Sequence, residues 1–409
     1  MTYTLSKDEL RSFLVHYHSL DNPHCFSGKA GIKKLLQRLG SVQYDPLNVV
    51  GRNPDLVFQS RIHDYSANLL EELLYKERSL IDGWDKEMSV YLTRDFPYFS
   101  RIQQQRIEDG LRILERRGQD GALSFLPQIM DEVKKRGPLA ARDIKMGSIQ
   151  KNRWGHRQIS GAAMDYLLTA GELGIYQKKN AQKIYAPMVD LIPASILNAP
   201  DPFSSDDDFY EWYVLRRIGS MGAYWPRNGS GWLGYFLDNA ALRQKTLQSL
   251  EQKKSIAAVR APEINELFYI RKKDLPLLNG ESGYDESIKI LAPLDNMIWD
   301  RLMVQKVFDF TYSWEVYVPQ EKRKYGYYVL PVLYQNILTA RFEPVKHEEG
   351  KPLIIKNWWW EPSYEKCKTG QRSKIREAVR LGLENFASYL NADGVDKKSL
   401  QTVLRAAKL

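Results

Sequence analysis

Two residues that could activate a water molecule lie close together in the segment Gln43-Tyr44-Asp45. Because alternate side chains of an extended segment point to the same side, Gln43 and Asp45 could hold one water while Tyr44 packs inward. A carboxylate accepts a proton from water as a general base, and an amide can orient that water without competing for the proton. The segment therefore has the residue types of a hydrolytic site. A structural role is the alternative, in which Asp45 turns the chain before Pro46 and Gln43 is a surface amide.

The composition narrows the class of protein. The chain has 409 residues, and at ~100–200 residues per domain this length suggests about three units. The net charge of +9 and the pI near 9.1 point to a polyanionic partner, nucleic acid before anionic membrane, with a solvated basic surface as the alternative. The chain has two cysteines, no signal peptide and no apolar run long enough to span a bilayer. These features predict a protein of the cytoplasm without a disulfide framework.

Hydrophobic spacing predicts the elements that would position the Gln43-Tyr44-Asp45 segment. Helices are predicted at 6–20, 29–39 and 66–75, followed by an apolar-rich return at 80–91. Ser6 and Glu9 have the spacing of a capping box, and Gly40 ends the second helix. Three short helices followed by a β return is the order of a winged helix-turn-helix.

The same order of elements recurs twice further along the chain. The second copy is predicted to have helices at 107–115, 121–136, 138–144 and 158–169 and a hairpin with a basic tip at 173–184. A third, looser copy is predicted to have helices at 209–218, 231–237 and 240–252 and a hairpin at 256–270. Gly137 breaks the chain ahead of Pro138, and Gly171 caps the last helix of the second copy. The pattern therefore predicts tandem winged helices.

The composition changes after about residue 288. Segments rich in aromatic and β-branched residues predict strands at 311–318, 325–333, 337–345 and 352–361, before closing helices at 371–390 and 397–406. The predicted fold class is α+β, mainly helical, with tandem winged helix-turn-helix units, a C-terminal antiparallel β meander or barrel-like unit, and closing helices. The predicted regions are 1–100 with the Gln-x-Asp site, 101–200, 201–280 and 281–409.

The order of these elements and motifs resembles a bacterial family of winged-helix DNA glycosylases that unhook interstrand crosslinks. Members carry a glutamine, an apolar or aromatic residue, and then Gln or Asp in the first winged helix, which Gln43, Tyr44 and Asp45 match in the Asp-bearing form. Further matches lie between residue 40 and Glu361, at Asp45-Pro46-Leu47-Asn48-Val49-Val50, Asp55-Leu56-Val57, Ser60-Arg61, Trp154, Gly171-Glu172-Leu173, Pro293-Leu294-Asp295, Trp299-Asp300-Arg301 and Arg323 through Pro331.

Two features depart from the family pattern. Many members place a histidine shortly after the tryptophan that Trp84 matches, whereas this chain has Asp85-Lys86-Glu87. Arg52 is kept, but Asn53-Pro54 follow where a more basic or histidine-containing stretch is common. These departures leave open which adduct or crosslink this chain prefers.

The resemblance implies a DNA glycosylase that hydrolyses the N-glycosidic bond of N-alkylated purines such as N7-alkylguanine, including crosslinks. Alkylation leaves a cationic base that departs readily, while the sugar gains oxocarbenium character. Asp45 would act as general base and stabilise charge, and Gln43 would position the water. Because no lysine is adjacent to this pair, a monofunctional reaction without a Schiff base is expected. No cofactor and no metal are expected.

Basic side chains are expected to contact the DNA. The candidates are Arg52, Arg61, Arg153, His156, Arg157, Lys178, Lys179, Lys183, Arg323 and Lys324. Arg52 and Arg61 flank the site, and a structural salt bridge is the alternative for Arg61. The others would hold phosphates without reading bases, with solvated charge as the alternative. The expected partner is double-stranded DNA with alkylated bases or crosslinks, bound by a monomeric, nucleoid-associated protein without a membrane partner.

Other functions fit the same elements. A winged-helix transcriptional regulator would dimerise on a palindromic site and would not need Asp45. An architectural DNA binder would lack activity and would bind with a steep dependence on salt. An RNA-binding role also fits the charge. Release of an alkylated base that depends on Asp45 distinguishes the glycosylase from all three.

Overall fold

The structure is a computed structural model, and it describes residues 2–22, 25–146, 159–179, 181–280 and 283–405. The chain divides into two compact units. Unit 1 comprises Met1–Leu70, Lys86–Met88 and Asp207–Leu409, and unit 2 comprises Glu71–Asp85 and Ser89–Asp206. The predicted division into four regions stays a prediction. In the described ranges, no helix combines the length and the apolar character needed to span a membrane.

Helices and strands are both well represented in the described ranges. The helices are α1 Lys7–Tyr17, α2 Gly28–Leu39, α3 Asn53–Gln59, α4 Ala67–Glu71, α5 Ser100–Arg116, α6 Leu126–Arg136, α7 Ile159–Ala170, α8 Ala194–Leu197, α9 Asp206–Met221, α10 Ala240–Gln252, α11 Arg301–Phe308, α12 Pro362–Glu365, α13 Thr369–Tyr389 and α14 Lys397–Arg405. The strands are β1 Thr2–Thr4, β2 Ser41–Gln43, β3 Leu80–Trp84, β4 Met88–Leu92, β5 Leu139–Ala140, β6 Leu173–Lys179, β7 Gln182–Pro187, β8 Ala223–Tyr224, β9 Ile256–Ala261, β10 Glu266–Arg271, β11 Lys289–Ile290, β12 Leu330–Tyr334, β13 Ile337–Pro344 and β14 Ile355–Trp360.

The first helices begin and end where local signals predict. The hydroxyl of Ser6 accepts a hydrogen bond from the Glu9 N–H, and the Glu9 carboxylate accepts one from the Ser6 N–H, so the capping box of α1 is confirmed. α2 ends at Gly40 as predicted. The third predicted helix is present as α4, which ends at Glu71, and a π-helical turn at Glu72–Lys76 that follows it directly. α3 was not predicted, although Pro54 in its first turn is a helix-start signal.

Unit 2 contains a helical core and a three-stranded sheet. The strand order is β5-β7-β6, and the predicted hairpin pairs Leu173 with Pro187 and Lys179 with Gln182. The buried side chains include Ile129, Val133, Ala163, Met164, Leu167 and Tyr185. The predicted helix at 138–144 is wrong, because the backbone of β5 pairs with β7 and only a 3-10 turn follows it.

Unit 1 contains two four-stranded sheets. In the first, with order β1-β9-β10-β8, the predicted hairpin at 256–270 is confirmed, and β1 pairs parallel to β9. The predicted helix at 231–237 is wrong, since only Ser230–Trp232 is helical, as a 3-10 turn that buries Trp232. The element order of α9, α10 and this hairpin otherwise follows the predicted third copy.

The second sheet of unit 1 is antiparallel, with the order β11-β12-β13-β14. The strands expected at 337–345 and 352–361 are confirmed as β13 and β14, whereas 311–318 forms no strand and contains a 3-10 turn at Glu315–Tyr317. β11 is the fourth strand of this sheet. Among the described residues β11 and β14 are its two edge strands, so the sheet is open there and the barrel-like closure is wrong. The α+β class is confirmed, and the tandem winged-helix arrangement stays a prediction.

Candidate active site and DNA-contact residues

The Gln43-Tyr44-Asp45 segment begins at the last residue of β2. Gly40 makes the turn from α2 into this strand with a φ of +80°, a conformation that glycine adopts at little cost. Its carbonyl accepts a 2.8 Å hydrogen bond from Arg216 Nη2. The Tyr44 N–H donates to the Met88 carbonyl at 2.7 Å. These contacts hold Gln43 and Asp45 on one short, anchored stretch of backbone.

The Asp45 carboxylate is half-buried and shapes the turn that follows it. Its Oδ1 accepts a 2.9 Å hydrogen bond from the Leu47 N–H across Pro46, so the structural role considered for Asp45 is present. A carboxylate has about four acceptor positions, and this bond uses one of them. Burial raises the pKa of Asp45, while the Leu47 N–H acts in the opposite direction. A carboxylate with a raised pKa is a stronger base than an exposed one.

Gln43 is held through both its backbone and its side chain. Its carbonyl accepts a 2.7 Å hydrogen bond from Asn53 Nδ2, and Asn53 Oδ1 accepts one from the Leu294 N–H at 3.0 Å. Asn53 is 2% exposed, and both bonds are partly buried. One asparagine therefore ties the catalytic candidate to a loop far along the chain.

A lysine also contacts this segment. Lys86 Nζ donates to Gln43 Oε1 at 3.2 Å and lies 5.1 Å from the centroid of the Trp299 ring. No lysine is adjacent to the pair in the sequence, but the fold brings Lys86 into contact with Gln43. Sequence reasoning placed Lys86 only among departures from the family pattern, because 43 positions separate it from Gln43. Trp299 belongs to a matched motif, but its contact with Lys86 has no local signal.

Arg52 lies immediately before α3 and takes part in a buried ion pair. Its Nε donates to Asp55 Oδ2 at 2.6 Å, and the hydroxyl of Tyr65 donates to Asp55 Oδ1, also at 2.6 Å. Burial acts to lower the pKa of Arg52, but the charge and hydrogen bonds of Asp55 raise it above its ordinary value. This network fixes the start of α3. A contact between Arg52 and DNA stays a prediction.

The assignment of Arg61 to DNA contact is wrong. Arg61 is completely buried, and its Nη1 and Nη2 each donate to one oxygen of Asp295 at 2.8 Å. Its Nε donates to the His18 carbonyl at 2.9 Å. A guanidinium group held in this way cannot reach a phosphate. The structural salt bridge, which was the alternative for Arg61, is the one observed.

The three lysines of the β6–β7 hairpin differ in availability. The assignment of Lys178 to DNA contact is also wrong, because its side chain is 2% exposed and its Nζ lies 2.5 Å from Asp82 Oδ1. Lys183 is partly exposed and lies 3.5 Å from Asp165 Oδ1. Lys179 is exposed near the tip of the hairpin. Lys179 and Lys183 remain candidates for phosphate contact.

Arg323 and Lys324 lie on a surface loop whose backbone is held by buried carboxylates. Glu315 accepts hydrogen bonds of 3.0, 2.9 and 3.2 Å from the N–H groups of Lys324, Tyr325 and Gly326. Although burial acts to raise it, the pKa of Glu315 is lowered by these three donors. Arg323 Nε donates to a backbone carbonyl at 2.8 Å, and Lys324 is exposed. The backbone of this positively charged surface loop is therefore held in place by hydrogen bonds.

The remaining DNA-contact candidates, Arg153, His156 and Arg157, lie outside the described residues. Across the described ranges there is no group of three or more His, Cys, Asp or Glu side chains that could hold a metal ion. Both cysteines of the chain are free, Cys25 being exposed and Cys367 partly exposed.

A model of the AlkZ-like DNA glycosylase family matches residues 36–387. This match spans most of the chain and includes the Gln43-Tyr44-Asp45 segment. The protein therefore belongs to the AlkZ-like DNA glycosylase family, a class of DNA-binding DNA-repair enzymes, and the resemblance to such glycosylases is confirmed.

The fold is also similar to that of Streptomyces sahachiroi DNA glycosylase AlkZ. The TM-score is 0.62 at 12% sequence identity, over 97% of this chain and 99% of that chain. At this level of identity the similarity concerns the fold alone. Substrate and residue roles have to be argued from the side chains of this chain.

Proposed function

We propose that this protein is a monofunctional DNA glycosylase that hydrolyses the N-glycosidic bond of N7-alkylguanine and related N-alkylated purines. In this proposal Asp45 accepts the proton of the attacking water, and Gln43 positions that water beneath the anomeric carbon. The developing positive charge on the sugar is offset by the Asp45 carboxylate. The products are the free alkylated base and an abasic site.

The observation that carries the proposal is the environment of the Asp45 carboxylate. Its carboxylate is half-buried, its pKa is raised by burial, and its one described hydrogen bond comes from the Leu47 N–H. A purely structural turn residue gains nothing from a raised pKa, whereas a general base becomes more effective. Gln43, two positions earlier, is held by Asn53 and Lys86.

The monofunctional reaction is proposed in spite of the nearby lysine. Lys86 donates to Gln43 and lies near the face of Trp299, which are the contacts of a charged ammonium group. In this proposal Lys86 is protonated, and a protonated amine has no lone pair with which to attack C1′. Borohydride added during the reaction traps a Schiff base as a covalent protein–DNA adduct. We expect no adduct, and one that disappears in Lys86→Met would contradict the monofunctional assignment.

DNA binding is proposed to use the tandem winged helices and the charged loop of unit 1. Lys179 and Lys183 on the hairpin, Arg323 and Lys324 on the loop, and Arg52 beside the site would contact phosphates without reading sequence. The net charge of +9 supports this mode of binding. A monomer would suffice, because several DNA-binding elements lie in one chain, and the cytoplasmic nucleoid is the proposed location.

Crosslinked DNA is proposed as a second substrate. A base that is tied to the opposite strand cannot be turned fully out of the helix. The catalytic groups must then reach the glycosidic bond without complete extrusion of the base. The charged N7-alkylated leaving group requires little assistance, which suits a site that consists of one carboxylate and one amide.

Base release tests the proposed function. Purified protein is incubated with DNA methylated by dimethyl sulfate, and the released bases are separated by chromatography. We expect 7-methylguanine to appear with multiple turnovers, and crosslinked duplexes to be unhooked. If neither methylated nor crosslinked DNA is processed, while duplex DNA is still bound, the non-catalytic winged-helix regulator becomes the better description.

A further inference from the structure

Lys86 is a buried cation beside the proposed catalytic segment. It lies in the turn between β3 and β4 and is 7% exposed. Its Nζ lies 3.2 Å from Gln43 Oε1 and 5.1 Å from the centroid of the Trp299 ring. The face of an aromatic ring attracts a cation without neutralising it. In this position Nζ is a hydrogen-bond donor to Gln43.

The hydrogen bond from Lys86 fixes the orientation of the Gln43 side-chain amide, that is, which end is the oxygen and which is the NH2 group. The two ends of a glutamine amide exchange by a half-turn of the side chain, so their orientation follows from the hydrogen-bond partners. An ammonium group only donates, and its partner must therefore be the amide oxygen. The NH2 group of Gln43 then lies at the opposite end of the amide from the lysine, where it can only donate.

This orientation has a consequence for the attacking water. A water that accepts a hydrogen bond from the Gln43 NH2 group keeps both of its hydrogens and one lone pair. The lone pair can attack C1′, and a hydrogen can pass to Asp45. In the reversed orientation the Gln43 oxygen would accept a hydrogen from the water and compete with the Asp45 carboxylate.

We propose that Lys86 is a positioning residue that holds Gln43 as a hydrogen-bond donor to the attacking water, so that Asp45 alone receives the proton. The inference rests on the proposed glycosylase function and adds a residue to its machinery. Lys86 acts through Gln43 and touches neither the sugar nor the base. Its contribution should therefore vanish when the Gln43 amide is removed.

A double-mutant cycle measures this dependence directly. Single-turnover rates of 7-methylguanine release are compared for the wild type, Lys86→Met, Gln43→Ala and the double variant, each checked for folding by urea denaturation. Methionine keeps an unbranched apolar stem beside Trp299 but cannot donate. Misplacement of a reacting group by about 1 Å costs on the order of 100-fold, so we expect Lys86→Met to lose roughly 10- to 100-fold. In the Gln43→Ala background the same substitution should change the rate less than about twofold.

Two further variants separate positioning from charge and from stability. Lys86→Gln retains an NH2 donor without the charge, and it should keep a rate well above that of Lys86→Met. Lys289 is a matched control, because it is 8% exposed and its Nζ lies 2.6 Å from Asp285 Oδ2. Lys289→Met should lower stability, and its effect on the rate should be the same with and without the Gln43 amide.

The possible outcomes are distinguishable. Equal losses for Lys86→Met in both backgrounds, no loss in either, or equal losses in Lys86→Gln and Lys86→Met would overturn the positioning role while the glycosylase activity stands. Absence of base release from the wild type would instead overturn the proposed function itself. Loss in the wild-type background alone, with retention in Lys86→Gln, supports the inference.

Discussion

Replacement of Asn53 by alanine is expected to damage both stability and catalysis. Asn53 bridges two parts of unit 1, because its Nδ2 donates to the Gln43 carbonyl at 2.7 Å and its Oδ1 accepts from the Leu294 N–H at 3.0 Å. The residue is 2% exposed. Alanine would leave a partly buried carbonyl and a partly buried N–H group without these partners.

The size of the effect follows from the number of groups left unsatisfied. A buried polar group that loses its partner costs about 1–3 kcal/mol, so two such groups give a range of about 2–6 kcal/mol. Because the Gln43 carbonyl and the Leu294 N–H are only partly buried, we expect the lower part of this range, a loss of about 2–4 kcal/mol in the free energy of unfolding. Gln43 would also lose one anchor of its backbone. A displacement of about 1 Å in a catalytic group costs on the order of 100-fold in rate, and we expect a loss of about 10- to 100-fold.

Urea denaturation and single-turnover release of 7-methylguanine measure the two effects at a temperature where the variant is folded. Asn48→Ala is the matched control, because Asn48 is exposed and its Oδ1 accepts one local hydrogen bond from the Gly51 N–H at 2.9 Å. The control should lose no more than about 1 kcal/mol. If Asn53→Ala unfolds at the same urea concentration as Asn48→Ala and releases base at the wild-type rate, the bridging role of Asn53 is refuted.

Three other predictions follow from the buried ion pair, the hairpin and the carboxylate. Arg61→Met leaves Asp295 charged without its partner, and it should lower the free energy of unfolding by about 3–5 kcal/mol without a specific effect on the salt dependence of DNA binding. Lys178→Met should destabilise the fold, whereas Lys179→Met should leave stability unchanged and reduce the slope of log K against log salt by about 1. Because burial raises the pKa of Asp45 and only the ionised form accepts a proton, the rate should fall on acidification at a higher pH than an exposed aspartate would give.

The parts of the fold that depend on local signals could be predicted from the sequence. The capping box at Ser6 and Glu9, the end of α2 at Gly40 and the β6–β7 hairpin each depend on residues a few positions apart. The parallel pairing of β1 with β9 was not predictable in this way, because its residues lie more than 250 positions apart in the chain. Pairings of this kind depend on tertiary packing. An edge strand of three residues is too short to show the periodic hydrophobic pattern from which a strand is predicted.

The residues of the candidate site also divide into those that local sequence signals predict and those that depend on tertiary packing. Gln43 and Asp45 could be selected from residue type and spacing, since the alternation of an extended segment is a local property. The role of Arg61 could not, because its partner Asp295 lies 234 positions away. Lys86 and Asn53 were visible only as departures from a family pattern. Their contacts with Gln43 depend on how the segment Lys86–Met88 and the start of α3 pack against β2 within unit 1.

The central claim is that Asp45 is the general base of a DNA glycosylase. The direct test is single-turnover release of 7-methylguanine from a methylated duplex by the wild type and by Asp45→Asn, with the dissociation constant for the same duplex measured alongside. General-base catalysis contributes roughly 10²- to 10⁴-fold, so we predict a loss of at least about 100-fold in rate with a dissociation constant within about threefold of wild type. Release by Asp45→Asn at the wild-type rate would remove Asp45 from the mechanism.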